Sequence, residues 1–268
     1  MDNIDEQALR HRFNPDGSLL RRQQMRMLEL LLEMDRICKK HNIRYWLIGG
    51  TLLGAVRHHG FIPWDDDMDV QMLREDYLRL LEILPKELPD TMALQCRQTD
   101  PNYFFQYAKL RDRRSILDEN NGYDKIFHER GIYVDIFPID SHPVWMQKVS
   151  IQTIGHSYKI LKRKDLTQEA KIKKVLRLVK CNEKVIFPLL RALAHITKGV
   201  WLDALGVPFV VPRNIEDLLP TTTLPFEGHD LPVPLHYDKV LHDQYGDYMQ
   251  MPDINKVNLH VSKLEIYD

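Results

Sequence analysis

The stretch WDDDMDVQML sets Asp67, Asp69 and Gln71 against Met68, Val70 and Met72 in strict alternation. Neighbouring side chains of a strand point to opposite faces, so this period makes one apolar face and puts two carboxylates on the other. The apolar face must be covered by a further layer, and a fixed register denies the acids the freedom of a loop. Taken alone, the run Asp65-Asp66-Asp67 reads as a solvated turn or a helix cap. The hydrophobic interleaving turns it into a placed pair of like charges, which repel unless a cation stands between them.

The flanking sequence supplies the layers. From Met25 to His41, Met27, Leu30, Leu31, Met34, Ile37 and Cys38 recur at helical spacing opposite Glu29, Glu33, Arg36 and Lys40, which predicts an amphipathic helix closed by Asn42. Arg44 to Ile48 predicts a short buried strand running into Gly49-Gly50. Thr51 to His58 predicts a helix with Thr51 as its cap. Asp76 opens a further helix through Tyr77, Leu80, Leu81 and Leu84, stopped by Pro85 and Pro89. Met92 to Cys96, Tyr103 to Leu110 and Gly131 to Asp140 predict strands, the last alternating Ile132, Val134 and Ile136 against Tyr133, Asp135 and Phe137. The succession predicts an α/β or α+β fold, a mixed sheet flanked by helices.

With 268 residues, 44% of them hydrophobic, the chain has what one large or two ordinary domains need for a core. A net charge of −1 from 37 basic and 38 acidic residues argues against a protein built to coat nucleic acid. The charge is unevenly placed. From Gln147 to Lys198, thirteen Lys or Arg face three acids, Asp165, Glu169 and Glu183, a local charge of +10. The expected organisation is a catalytic core over residues 20–140, a helical basic insertion over 141–223 and a C-terminal segment, 224–268, returning to the core. The basic segment, 147–198, offers a peripheral contact with an anionic membrane or a polyanionic acceptor. Cys38, Cys96 and Cys181 are odd in number and far apart, so neither a disulfide framework nor a zinc cluster is expected. The opening MDNIDEQALRHRF is too charged for a signal peptide, and no run of about 18 apolar residues spans a bilayer, so a cytoplasmic protein is expected.

The chemistry rests on Gly49-Gly50-Thr51, on Asp67 and Asp69, and on Asp135 of a third expected strand. Glycine lets a backbone approach a phosphate, and the N-terminus of the following helix favours negative charge. Mg²⁺, with Mn²⁺ as its substitute, is the natural cation for paired carboxylates, since it binds through one or two of them plus substrate phosphates. Asp135 completes such a site or takes a proton from an attacking hydroxyl.

The stretch WLIGGTLLGAVRHHGFIPWDDDMDVQMLREDY, together with Tyr107-Ala108-Lys109-Leu110-Arg111-Asp112, GIYVDIFPID, LPFEGH and YGDYMQMP, resembles the LicD family of phosphocholine transferases. It shares this core with the fukutin family of ribitol-phosphate transferases. The likeness runs over Met25 to Asp140 and Leu224 to Pro252 and leaves Ser141 to Thr223 unmatched. It implies a nucleotidyltransferase fold in which Gly50 and Thr51 hold donor phosphates and Asp67, Asp69 and Asp135 hold the divalent metal. The implied donor is a CDP-alcohol, CDP-choline first. The implied acceptor is a hydroxyl of a glycan or lipid-linked glycan precursor, with CMP released. The zinc-binding insertion of fukutin-type relatives lacks its cysteines here. Arg57, Lys109 and Arg111 are cations near the acidic motifs, suited to neutralising phosphate charge. Trp64, with Tyr103 and Tyr107, offers ring faces for a choline trimethylammonium, as does Trp46, for which core packing is the expected role. His58 and His59 are expected to face solvent or phosphate, not metal. Three alternatives stay open: nucleotidyl transfer to a small substrate, a non-catalytic glycan- or nucleotide-binding module, and a phosphohydrolase built on His229-Asp230 and His242-Asp243.

Overall fold

The computed structural model describes residues 6–120, 122–254 and 261–267. Helix α1 (Glu6–Phe13) leads into α2 (Leu19–Lys40), which starts earlier than the expected Met25. Ser18 caps it, its hydroxyl accepting from the Arg21 N–H at 3.2 Å. Met27, Leu30, Leu31, Met34 and Ile37 form its buried face, and burial of each such side chain contributes about 1.5–3 kcal/mol. The expected five-residue strand shortens to β1 (Trp46–Leu47). Gly49 at φ +58° then turns the chain directly into α3 (Gly49–His58). Ile48 takes the cap position, so Thr51 lies in the first turn and is not the cap.

Next come β2 (Asp69–Leu73) and α4 (Arg74–Glu87), whose last turn accommodates Pro85. Asp67 and Met68 precede β2 because ladder pairing starts at Asp69, yet the Met68 carbonyl still accepts from the Asp135 N–H at 2.9 Å. Strands β3 (Met92–Gln95), β4 (Ala108–Asp112) and β5 (Ser115–Glu119) follow, then a 3₁₀ turn (Asp124–Ile126) and β6 (Tyr133–His142). Tyr103 to Tyr107 fall outside β4. They pack as part of an aromatic cluster with Phe127.

Helices α5 (Val144–Leu161) and α6 (Gln168–Cys181), a π turn (Asn182–Ile186) and α7 (Phe187–Ala194) make the basic segment helical. It then rejoins the core through β7 (Val200–Asp203), before α8 (Ile215–Leu218), β8 (Thr222–Phe226), β9 (His229–Val233), α9 (Tyr237–Tyr245) and β10 (Val261–Ile266). Among the described residues no helix is long and apolar enough to cross a membrane.

The main sheet runs β1-β2-β6-β4-β3, with β7 paired to the far end of β6. Only β2 and β6 are parallel, with Asp69 beside Asp135, while antiparallel β4 sets Lys109 against Asp135 from the other side. This is the expected mixed sheet flanked by helices. Both faces of β6 are covered from Tyr133 to Ile139, so Asp135 is buried with its apolar neighbours. The pairs β5–β10 and β8–β9 lie outside the main sheet.

Candidate active site

The acidic loop is clamped from behind. Gln23 of α2 donates to the Asp66 carbonyl at 2.7 Å, and Gln24 donates to the Asp65 carbonyl at 2.9 Å. Asp66 turns inward, its carboxylate accepting from the Val261 N–H of β10 at 2.9 Å. Asp65 and Asp67, with Asp69 at the start of β2, face a cleft of about 670 Å³. The Thr51 hydroxyl accepts from the Asp69 N–H at 2.8 Å and so fixes where β2 begins.

Gly49 and Gly50 line the same cleft, where a Cβ on Gly50 would stand 2.7 Å from Asp65 Oδ2 and one on Gly49 3.3 Å from Asp69 Oδ2. The missing side chains let carboxylates come against the first turn of α3, whose free N–H groups favour anions. Burial, then Asp67, Asp135 and Asp65, push the Asp69 carboxyl well above the usual carboxylate range, against the opposing pull of Lys109. Tyr245 of α9 faces these acids, and burial of its hydroxyl together with Asp69, Asp65 and Asp67 pushes it up to about 12.

Behind the cleft lies a compensated layer. Lys109 Nζ is 2.9 Å from Asp135 Oδ1 and 3.5 Å from Glu119 Oε1, and sits 3.3 Å over the Tyr133 ring. Burial raises Asp135 to about 6, with Lys109 opposing the rise. Arg111 donates to Gln95 Oε1 and to the Gly131 carbonyl, both at 2.7 Å. Lys109 and Arg111 are 2% and 0% exposed and line no part of the cleft. Their charge is used inside the fold.

Two other guanidiniums face the cleft. Arg57 Nε donates to His58 Nε2 at 2.9 Å, and its Nη1 donates to the Tyr248 carbonyl at 2.9 Å. Accepting there requires a neutral His58, whose Nδ1–H then donates to Glu6 Oε1 at 2.6 Å. Burial, then Arg57 and His59, push the His58 imidazole down to about 3. His59 closes α3 in a left-handed conformation. Arg213 is the cation that sequence reasoning missed. Its Nη1 donates to Asp203 Oδ2 at 3.1 Å, and Gln71 of β2 donates to Asp203 Oδ1 at 3.0 Å, so a buried relay from β2 through β7 sets Arg213 at the cleft. No local motif marks it, because the three residues meet only through strand pairing.

The aromatic candidates separate. Trp64 lines the cleft, its ring edge-on to Phe13 at 5.2 Å. Trp46 and Tyr103 are fully buried. Tyr107 stacks on Phe105 and tilts onto Phe137 at 4.6 Å. Phe137, Phe209, Tyr245 and Tyr248 supply the remaining aromatic wall, all outside the residues singled out from sequence.

The donor set tests a metal. Among the described residues no group of three or more His, Cys, Asp or Glu side chains gathers tightly enough to hold a metal by itself. The set of Asp67 and Asp69, with Asp135 in register behind, is oxygen-only, and within it the Asp69 carboxyl stays well above the usual carboxylate range despite Lys109. An open, all-carboxylate set that disfavours its own ionisation suits a hard divalent cation that keeps water or substrate oxygens as further ligands.

Comparison with known proteins bears on the same residues. The family profile described as LicD/FKTN/FKRP, nucleotidyltransferase domain, matches residues 42–189, reaching into the helical segment. The chain is 35% identical over 125 residues to the lipopolysaccharide cholinephosphotransferase LicD of Haemophilus influenzae, covering 46% of this chain and 45% of that protein. It is 59% identical over 34 residues to the human ribitol 5-phosphate transferase FKRP, 13% of this chain and 7% of that one. It is 28% identical over 129 residues to yeast mannosyltransferase regulator 4, 46% of this chain and 11% of that protein. The chain thus spans less than half the length of each of these relatives.

Proposed function

Because the chain belongs to the LicD/FKTN/FKRP nucleotidyltransferase-domain family, we propose that it transfers a phosphoalcohol, phosphocholine first, from a CDP-alcohol to a glycan or lipid-linked glycan hydroxyl. The observation that carries this reading is the meeting of the glycine-opened first turn of α3 with Asp67 and Asp69 in one cleft. The turn's free N–H groups suit a diphosphate, and the carboxylates suit a divalent cation beside it.

In this proposal Gly49 and Gly50 receive the donor diphosphate, and Arg57 and Arg213 neutralise its oxygens. Asp67 and Asp69, with Asp135 behind them, would hold Mg²⁺ or Mn²⁺, which supplies charge stabilisation at the transferred phosphoryl. Thr51 positions Asp69 through its backbone N–H. Lys109 keeps Asp135 in place from the far side. The sugar hydroxyl attacks the phosphorus that carries the alcohol, the bond to CMP breaks, and the hydroxyl proton passes to the carboxylate cluster. Trp64, Phe137 and Phe209 give ring faces on which a quaternary ammonium rests.

Product analysis tests the reading. Incubation with CDP-choline, CDP-ribitol or CDP-glycerol and a glycan extract is expected to release CMP from one donor. Pyrophosphate from a nucleoside triphosphate, with no CMP from any CDP-alcohol, would establish nucleotidyl transfer instead.

A further inference from the structure

A second cavity, of about 380 Å³, lies between α4 on one side and the π turn with α7 on the other. Four cations stand in its wall, Arg74, Arg97, Lys184 and Arg191, against a single acid, Glu183. Arg97 is engaged, with Nε 3.2 Å from Glu183 Oε1 and a further bond donated to the Tyr103 carbonyl. Arg74 and Arg191 are not matched in this way. The Nε of each approaches the same oxygen, Asp140 Oδ2, at 3.8 and 3.7 Å, both beyond hydrogen-bond reach. The other Asp140 oxygen accepts from the Ser141 N–H. Arg191 Nε is shut away from water with no acceptor, a costly state for a buried donor. Burial and the neighbouring Arg74 push the Arg191 guanidinium down to about 10.

The cavity also has an aromatic side, given by Tyr107 and Phe105. Tyr107 leans on Phe137, which faces the candidate active cleft, so one aromatic pair separates the two spaces. Two guanidiniums sharing one distant carboxylate form a fork for a tetrahedral oxyanion, and ring faces beside it suit an organic group attached to that anion.

We propose that this cavity binds a phosphate-bearing ligand, its phosphate between Arg74 and Arg191 with Lys184 beside it and its organic part against Tyr107 and Phe105. The site is distinct from the candidate active cleft and does not depend on the transferase reading.

Calorimetric titration of the full chain with inorganic phosphate tests it. Saturable binding is expected, weakened at least tenfold in Arg191→Gln and in Lys184→Gln and unchanged in Arg213→Gln, which alters the other cleft. Lys184 is exposed, so its variant keeps the fold and decides the matter even if Arg191→Gln does not. Two further probes assign the source of the phosphate. Tighter binding of a hexose phosphate points to a soluble sugar phosphate, whereas Arg191-dependent binding of phosphatidylglycerol vesicles over phosphatidylcholine vesicles points to a lipid headgroup. No saturable phosphate binding, binding that survives in Lys184→Gln, or binding lost in Arg213→Gln instead would overturn the proposal.

Discussion

The cleft and the layer behind it hold charges of the same kinds and treat them in opposite ways. In the cleft, Asp65 and Asp67 crowd with Asp69 against a helix N-terminus and raise the proton affinity of Asp69. Behind it, Lys109 and Arg111 are shared among Asp135, Glu119, Gln95 and the Gly131 carbonyl and lie over the Tyr133 ring. The difference separates two jobs. Charge that is compensated within the fold stabilises it and fixes geometry, and carboxylates gathered at an opening are within reach of a ligand.

The largest effect is expected at Lys109. Lys109→Met strips Asp135 of its buried cation and leaves Glu119 with Arg111 alone, and removing one partner of a buried pair costs about 3–5 kcal/mol. Urea denaturation is expected to show a loss of that size; a loss under 1 kcal/mol would mean the layer is not compensating charge. Asp69→Asn sits on the other side of the comparison. It is expected to lower CMP release by about 10²–10³-fold, the range for removing one transition-state stabilising group, while the melting temperature stays level or rises because a like-charge contact is relieved. A clear fall in melting temperature would place Asp69 in the structural layer instead.

Arg213→Gln sharpens the boundary. As a cleft cation held by Asp203, it is expected to raise KM for the donor about tenfold, which corresponds to about 1.4 kcal/mol, with a smaller change in kcat. An unchanged KM would return the phosphate role to Arg57 alone. The effect that is smallest near neutral pH concerns acid stability. His58 is neutral in the fold with a depressed pKa near 3, so the unfolded chain takes up more protons below about 6.5. Stability is therefore complete above that pH and falls as pH drops from there toward 3, at no more than about 1.4 kcal/mol per pH unit. His58→Gln, which can still accept from Arg57, is expected to flatten this limb. An unchanged slope would assign the acid sensitivity elsewhere.

Much of this was legible in the sequence because it was local. The alternation around Met68, Val70 and Met72 gave the strand and its covered face, and the α2 stripe gave the helix that covers part of it. The glycine pair and the acids it meets were both visible as motifs. What stayed hidden depends on pairing between distant residues. Arg111 reads as a ligand-facing cation in the sequence, but Gln95 and Gly131, brought in through β3 and the approach to β6, accept from its Nε and Nη1. Arg213 looked like one basic residue in an unmatched segment until β7 joined β6 and set Asp203 between it and Gln71. Gln23 and Gln24 precede the helix expected from Met25, yet they lie within α2 and are buried as clamps on the acidic loop.

The most direct measurement is the rate of CMP release from the active CDP-alcohol, in Mg²⁺ and in EDTA, for the wild-type chain and for Asp67→Asn. Release is expected from the wild type in Mg²⁺ only, with a fall of about 10²–10³-fold in Asp67→Asn and the fold retained. Release that persists in EDTA, or that Asp67→Asn leaves at the wild-type rate, would contradict metal-dependent transfer at this site.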